Sequence, residues 1–395
     1  MKSAFPMCDC APKAMNRRTV LKSSALASLL IPITAACGHD DRPDSAGPAP
    51  VAEITKADPP KGTRLTLLGT GGGPPADYVR TGISSALTVG GHTYVIDAGR
   101  SSVTQYLRAG LEFKSLDSIF ITHLHADHIA DYYNYFLLGG SVTNDSGDNL
   151  AGPVHVYGPG PAGALPPPAK AGAPTVDPDA PTPGITELTQ RLTQGYAYSH
   201  NIFIRETDIR DVNTLADVHD IAIPPVGANA LGTTAPPMQP FPVMEDDRVK
   251  VTAILVPHGP VFPSFAFRFD TADGSVVFSG DTGPSDNVVT LARGADILVH
   301  EVINLPFYEK TGVPPALLEH FAKAHTPDTQ VGAIAARAGV RTLVLSHLVP
   351  SNPEWVSDEE YAKVARTGFD GTVIVGTDLM KIDMKHGVAP SLVAT

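Results

Sequence analysis

Ile121-Thr122-His123-Leu124-His125-Ala126-Asp127-His128 places three histidines and one carboxylate directly after an apolar run that predicts a short buried strand. Imidazole nitrogen and carboxylate oxygen are ligand atoms that zinc prefers. On an extended strand end, His123 and His125 point the same way. A helix that starts after Ala126 would present Asp127 and His128 from its first turn. The stretch therefore predicts a metal site with ligands for a second ion, and we prefer this to a polar loop with incidental histidines.

Further candidate ligands stand where predicted strands end. His258, Asp281 and His347 each follow an alternating or apolar run that predicts a strand. A carboxylate in the position of Asp281 can bridge two cations, although capping the next helix is the alternative use of this side chain. His325 precedes Thr326, the predicted N-cap of a helix. These residues extend the candidate site into the second half of the chain.

The stretch at residues 121–128 resembles the HxHxDH signature of the metallo-β-lactamase superfamily. The glycine-rich opening after residues 64–68, the Asp97-Ala98-Gly99 motif and the strand and turn at residues 154–159 resemble the branch that contains ribonuclease Z and the zinc-dependent arylsulfatases. This resemblance covers about residues 64–383. It implies an α/β fold, the αββα sandwich of two mixed sheets with outer helices. A strand, hairpin, helix and strand occur twice along the chain, which suits the same sandwich.

The resemblance also implies a dinuclear zinc centre. One zinc would be held by His123, His125 and His258, the other by Asp127, His128 and His347, with Asp281 bridging them. Water between two cations loses a proton near neutral pH and becomes the nucleophile. Asp127 would orient it, and His325 would stabilise the developing charge or protonate the leaving group. Asp97 would be a structural acceptor, and manganese or iron is the alternative to zinc at such sites.

The N-terminal residues predict export. Asn16-Arg17-Arg18-Thr19-Val20-Leu21-Lys22 is typical of a twin-arginine signal. The apolar stretch at residues 23–36 is too short for a permanent membrane span. Ile33-Thr34-Ala35-Ala36-Cys37-Gly38 resembles a lipobox with Cys37 as the lipidated residue, while cleavage by a non-lipoprotein peptidase is the alternative. We therefore expect a protein of the periplasm or of the outer face of the cell membrane, with a lipid anchor at Cys37 left open.

Composition divides the chain into three parts. We predict a signal peptide over residues 1–37 with Met15 as an alternative start, a flexible tether over residues 38–62, and a hydrolase domain over residues 63–395. Residues 140–245 form an insert in this domain that departs from the family pattern and is partly rich in Pro, Ala and Gly.

Local patterns predict the elements near the metal-binding stretch and inside the insert. Residues 129–138 predict a helix. Inside the insert, residues 185–197 predict a helix and residues 202–212 a strand, while residues 213–242 are mostly irregular. Two histidines of the insert, His200 and His219, could reach the site, but we expect them to be solvent-exposed rather than functional.

Charge argues against nucleic acid as a partner. The formal net charge is −12, and the insert at residues 140–245 has four basic residues against eleven acidic ones. Ribonuclease Z carries a basic arm that grips tRNA, and no such arm is found here. An acidic surface would repel a polyphosphate backbone. We therefore expect a small ester as the substrate and no nucleic-acid partner, and we leave a homodimer open.

The predicted function is that of an exported, metal-dependent hydrolase of a small ester. The resemblance to arylsulfatases puts an aryl sulfate first, and a phosphodiester follows closely because the same geometry serves both. A lactone or a β-lactam is less favoured. The hypothesis from another class is a zinc-binding lipoprotein without catalysis, against which the full ligand set and His325 argue.

Overall fold

The computed structural model describes residues 62–393, apart from residues 77, 169, 208 and 386. The predicted signal peptide and lipobox, and the predicted tether up to residue 61, lie outside the described residues. All described residues belong to one compact unit. Within this part of the chain, no helix combines the length and the apolar character that a membrane crossing requires.

Among the described residues, fifteen strands form two mixed sheets, and two mixed sheets are what the sequence predicts. The first sheet has the order β15-β14-β1-β2-β3-β4-β5-β6, with β1 (Thr63–Gly69), β2 (Ser84–Val89), β3 (His92–Ile96), β4 (Leu116–Phe120), β5 (Val154–Pro159), β6 (Ala216–Ile221), β14 (Lys381–Lys385) and β15 (Val388–Leu392). The second has the order β13-β12-β11-β10-β9-β8-β7, with β7 (Phe241–Glu245), β8 (Val249–Leu255), β9 (Phe265–Thr271), β10 (Gly274–Phe278), β11 (Ile297–Ile303), β12 (Thr342–Val349) and β13 (Thr372–Val375). In each sheet antiparallel hairpins occupy one side and parallel strands the other.

Helices occupy the outer faces of the sandwich. They are α1 (Ser102–Arg108), α2 (Ala126–Ile129), α3 (Asn134–Leu137), α4 (Ile185–Gly195), α5 (Ala197–Thr207), α6 (Asp286–Leu291), α7 (Leu305–Thr311), α8 (Pro315–Ala324), α9 (Asp328–Ala338) and α10 (Asp358–Ala365). Three single 3-10 turns lie at residues 113–115, 212–214 and 366–368. Tyr106 of α1 and Val156 of β5 belong to the apolar cluster on the outer face of the first sheet. This layer order is the predicted αββα sandwich.

Aromatic rings join the two sheets directly behind the metal-binding stretch. Phe120, the last residue of β4, packs edge-on against Phe267 and Phe269 of β9, with ring centroids 5.5 and 5.0 Å apart. All three rings are fully buried. Large buried rings in tilted contact contribute packing energy beyond their apolar area. The metal-binding stretch at residues 121–128 therefore directly follows a tightly packed part of the core.

Two local predictions are wrong in detail, and a third misses one strand. The helix at residues 129–138 is two separate turns, α2 and α3, because the backbone between them pairs elsewhere. Ala98 N–H donates to the His128 carbonyl, and Asp131 N–H donates to the Ala98 carbonyl. The strand at residues 202–212 is the second half of α5 followed by a 3-10 turn. The segment at residues 213–242 is mostly irregular, as predicted, but it contains β6, whose mostly exposed side chains hide the strand pattern.

Candidate metal centre

The first group of predicted ligands comes from the loops after β4, β8 and β10. Donor atoms of His123, His125, His258 and Asp281 lie within 4.8 Å of one another. His258 Nε2 is 3.1 Å from His125 Nδ1 and 3.8 Å from Asp281 Oδ2. His123 Nε2 is 3.9 Å from the same carboxylate oxygen. Three imidazoles and one carboxylate thus point at a common volume.

The second group adjoins the first through Asp281. Donor atoms of Asp127, His128 and His347 lie within 4.8 Å of one another. His347 Nε2 is 3.4 Å from Asp127 Oδ2 and 3.2 Å from Asp281 Oδ2, and His128 Nε2 is 3.3 Å from Asp281 Oδ1. Asp281 therefore contacts both groups, as a bridging carboxylate must. The structure brings all seven predicted ligands together.

Unpaired buried atoms show that this donor set fits cations. His123 Nε2, His128 Nε2 and Asp281 Oδ1 are buried and have no hydrogen-bond partner among the described residues. Buried polar atoms are nearly always paired, because an unmet one costs about 1–3 kcal/mol. Imidazole and carboxylate donors of this kind suit zinc and other first-row divalent metals. Metal ions bound among these residues would satisfy the unpaired atoms.

Electrostatics at the centre also favour positive charge. Burial lowers the pKa of His123 well below its usual value, which keeps its nitrogen available as a ligand. Burial would also lower the pKa of His128, but the carboxylates of Asp281 and Asp97 raise it well above the usual value. Burial would raise the pKa of Asp281, but the neighbouring His347 and His128 hold it well below its usual range. The negative charge of these carboxylates therefore stabilises a cation beside them. Either a metal ion or a proton on an imidazole can supply that positive charge.

Asp97 orients one of the predicted ligands and does not belong to either donor group. Its Oδ2 accepts a hydrogen bond from His128 Nδ1 at 2.9 Å, and its Oδ1 accepts from the Thr122 N–H at 2.8 Å. With Nδ1 donating, the lone pair of His128 remains on Nε2, which faces the centre. The backbone of Asp97 has φ 57°, a region that is costly for residues other than glycine and that recurs near functional sites. The predicted structural role of Asp97 agrees with these contacts.

His347 reaches the centre from a bulge in β12. The pairing register between β11 and β12 shifts around Glu301, opposite His347, and His347 has φ 47°. Bulges commonly redirect a side chain next to an active site. Gly72 lies against the ring, and a Cβ on Gly72 would be 2.5 Å from His347 Nδ1. The strand does not end at His347, as the sequence suggested, but continues to Val349.

His325 stands beside the centre and is held by a buried carboxylate. Its Nδ1 lies 3.2 Å from Glu301 Oε1 and 3.9 Å from Asp281 Oδ2. Burial would lower its pKa, but the charge and the hydrogen bond of Glu301, together with the charge of Asp281, outweigh burial and raise the pKa to about 9. Glu301 Oε1 also accepts from the backbone N–H groups of Thr282 and Thr326, each at 3.0 Å. Nitrogen and oxygen atoms of His325, Asp281 and His347 also lie within 4.8 Å of one another, so this histidine is within reach of the centre.

Two histidines of the insert lie outside the centre. His219 is exposed on β6, where His155 and His219 both contact Asp217 Oδ2, at 2.9 and 3.1 Å. His200 lies on α5 and is buried, so the expectation that it is exposed is wrong. Neither of its ring nitrogens has a hydrogen-bond partner among the described residues.

Sequence reasoning missed several supporting residues. Thr122, directly before the first histidine, donates its hydroxyl to Asp97 and contacts His123 Nδ1 at 3.1 Å. Asp378 accepts hydrogen bonds from the backbone N–H groups of Thr70 and Thr81 and so closes the glycine-rich turn at the rim. The sequence does carry a signal for Asp378, which lies two residues after Gly376 at the end of a strand. Asp281 lies directly after Gly280, which also follows a strand. Glu301 is buried and its Oε1 is paired, whereas its Oε2 has no hydrogen-bond partner among the described residues.

Comparisons with known proteins agree with this fold and centre. A family model described as the anti-Pycsar protein Apyc1 matches residues 63–132. A ribonuclease Z of Mycobacterium bovis (strain BCG / Pasteur 1173P2) is 30% identical over 325 residues, which cover 81% of this chain and 98% of that protein. The solved short form of human tRNase Z and the metallo-β-lactamase fold protein YhfI of Bacillus subtilis share the fold, with TM-scores of 0.53 and 0.52 at 20% and 19% identity, each match covering 81% of this chain and 99% of the other. The chain therefore belongs to the ribonuclease Z-like metal-dependent hydrolases of the metallo-β-lactamase superfamily.

Proposed function

We propose that the chain hydrolyses a small, singly charged ester of phosphoric or sulfuric acid at a dinuclear zinc centre. The observation that carries this proposal is the pair of donor groups that share Asp281 and retain unpaired buried atoms. His123, His125 and His258 would hold one ion. Asp127, His128 and His347 would hold the other. When bound, the two ions would supply the Lewis acidity that activates water and stabilises negative charge.

The chain's own residues would orient the reaction. Asp127 has one carboxylate oxygen 3.4 Å from His347 Nε2, and its other oxygen is buried without a hydrogen-bond partner. That second oxygen is available to accept a proton from the attacking water. His325 is held at Nδ1 by Glu301, which leaves Nε2 to donate to a developing oxyanion or to the leaving group. These are the two catalytic roles we assign.

A phosphodiester is the first substrate class. The relatives are named ribonucleases, enzymes that cleave phosphodiester bonds, and one of them is 30% identical over 325 residues. The family relationship therefore supports phosphorus as the reacting centre. An aryl sulfate is the second candidate, because it too is a monoanion at a tetrahedral centre and would meet the same groups. The sulfatase resemblance of the sequence supports this second class.

A large RNA is disfavoured as the substrate. Two of the four basic residues in the insert at residues 140–245 are engaged within the fold. Arg191 pairs with Asp177 and Glu187. Arg210 donates to the carbonyl groups of Gly140 and Leu150. Binding to RNA depends mainly on cations that meet its phosphates, and few remain here.

We propose that the protein is exported by the twin-arginine route and works in the periplasm or on the outer face of the membrane. The motif at residues 16–22 supports export, and the lipobox at residues 33–38 supports an anchor at Cys37. Fractionation of cells that express the native chain and Cys37→Ser tests both points. An anchored protein moves from the membrane to the soluble periplasmic fraction in the variant. Native protein found in the cytoplasm would contradict export.

The activity test compares two esters with the same leaving group. The zinc-loaded chain is assayed with bis(4-nitrophenyl) phosphate and with 4-nitrophenyl sulfate, and Asp281→Ala is the matched inactive variant. Turnover of one ester that is lost in the variant supports the proposal and selects the substrate class. Zinc binding without hydrolysis of either ester would contradict it and favour a zinc-binding lipoprotein. A precursor tRNA as a third substrate should not be cleaved.

A further inference from the structure

An apolar cavity opens directly beside the predicted ligand His125. It has a volume of about 380 Å³, within the range of about 300–1,000 Å³ typical of small-molecule sites. Leu124, within the metal-binding stretch at residues 121–128, and Ile129, directly after it, form one part of its wall. Val261 and Phe262, which follow His258, form another. Two loops that carry predicted ligands of one ion thus also line the cavity, and His125 is the ligand at which the cavity adjoins the centre.

The insert supplies the rest of the wall. Most of the lining residues that it supplies are proline, alanine, glycine and leucine. They come from residues 159–166 and 181–183 and from Leu188 and Ala230. Among the described residues that line the cavity there is no Lys, Arg, Asp or Glu, and Thr182 is the one hydroxyl. Leu165 is 48% exposed although it is a leucine, and it lines this cavity. The insert therefore builds a neutral, apolar wall next to a strongly charged centre.

The contrast between the charged centre and the apolar cavity wall indicates a ligand that has a charged part and an apolar part. A chain of phosphates needs cations along its path, and the cavity offers none. An apolar group gains from leaving water, by roughly fourfold in affinity for each methylene buried. An engineered cavity of roughly 150 Å³ holds benzene, so the volume here admits an aromatic group of two rings.

We propose that this cavity binds an uncharged aryl group of the ester, of up to two rings, while the anionic head lies at the metal centre. The inference rests on the proposed function and names the substrate class within it. The insert is then the determinant of specificity. In this proposal the insert recognises an apolar ring, whereas the basic arm of ribonuclease Z recognises a polyanion. His125 marks the junction, because it belongs both to the metal centre and to the cavity wall.

The test measures binding and does not depend on turnover. The zinc-loaded chain is titrated calorimetrically with 2-naphthalenesulfonate and with methanesulfonate, which carry the same tetrahedral anionic head on a bond that is not hydrolysed. We expect the naphthyl compound to bind at least about 50-fold more tightly, the gain from burying about three methylene equivalents. Equal affinities would overturn the proposal. An absence of ester hydrolysis in the assay described above would sink the proposed function without changing this readout.

Two variants locate the binding site. Leu165→Asn removes apolar surface without adding charge and should weaken only the naphthyl compound, by roughly tenfold. Ala162→Trp fills the cavity and should abolish the preference between the two sulfonates. Leu392→Asn is the control, because Leu392 is also an exposed leucine but lies on β15, at the opposite edge of the sheet from β6. A preference that both cavity variants leave intact would overturn the assignment.

Discussion

Asp97→Asn tests whether the orientation of His128 depends on one buried carboxylate. Asp97 Oδ1 accepts from the Thr122 N–H at 2.8 Å, and Oδ2 accepts from His128 Nδ1 at 2.9 Å. These bonds keep the lone pair of His128 on Nε2, which lies 3.3 Å from Asp281 Oδ1. Asparagine keeps the size of the side chain but offers one oxygen where two are needed.

Each orientation of the new amide carries a different cost. If its oxygen stays with Thr122, its NH2 faces His128 Nδ1 and favours the tautomer with a proton on Nε2. Zinc affinity should then fall by about 10- to 100-fold, as for other residues that orient a metal ligand. If its oxygen turns to His128, its NH2 meets the Thr122 N–H. A buried donor is then unpaired, and the free energy of unfolding should fall by about 1–3 kcal/mol.

Two measurements separate these outcomes. Competition with a chromogenic chelator gives zinc affinity, and urea unfolding of the metal-free protein gives the free energy of unfolding. Asp117→Asn is the matched control, because Asp117 Oδ2 lies 2.8 Å from His92 Nδ1 in a half-buried surface pair. Such pairs contribute about 0–1 kcal/mol, so the control should change neither quantity by more. If Asp97→Asn matches the native chain in both measurements, the proposed role of Asp97 is refuted.

Four further predictions follow from particular contacts. Gly72→Ala should displace His347, because its Cβ would lie 2.5 Å from Nδ1, and the zinc content measured by atomic absorption should fall towards one ion per chain; two retained ions would contradict this. Asp378→Ala removes a carboxylate that accepts four hydrogen bonds and should lower the free energy of unfolding by about 1–3 kcal/mol in urea titrations, whereas Asp247→Ala, which breaks an exposed ion pair with Arg248, should cost about 0–1 kcal/mol. Burial lowers the pKa of His300, so the unfolded chain binds its proton first and the free energy of unfolding should fall as the pH drops below about 6.5; His300→Gln should show a shallower fall in the same titrations. Removing zinc with a chelator should lower the thermal midpoint, since a ligand at a thousand times its Kd stabilises the native state by about 4 kcal/mol, and added zinc should restore it; an unchanged midpoint would argue against a metal centre.

Local sequence identified the residues that the structure brings together in the candidate centre, because their chemistry is local. His123, His125 and His128 lie within one short stretch, and that spacing is recognisable before any fold is known. His258 and Asp281 follow runs of alternating or apolar residues, and such runs predict strands whose ends carry functional side chains. The sandwich itself follows from those runs and from the family resemblance.

Regions where the backbone pairs over long distances were predicted less well. Residues 129–138 have a helical pattern, but hydrogen bonds to Ala98 divide them into two turns. The strand β6 is held by pairing with β5, and its exposed side chains carry little hydrophobic signal. In both cases a distant partner, absent from any local window, determined the conformation.

The sequence by itself, with its family resemblance, indicated the donor residues of the candidate centre, the predicted strands that precede several of them, and the acidic character of the insert. Tertiary structure alone decided that Asp281 touches both donor groups, that Asp97 and Glu301 orient His128 and His325, and that His347 projects from a bulge. It also decided that the insert lines a neutral cavity beside His125. The physical reason is that ligand chemistry belongs to single side chains, whereas distances, burial and cavity walls depend on segments that are far apart in the chain.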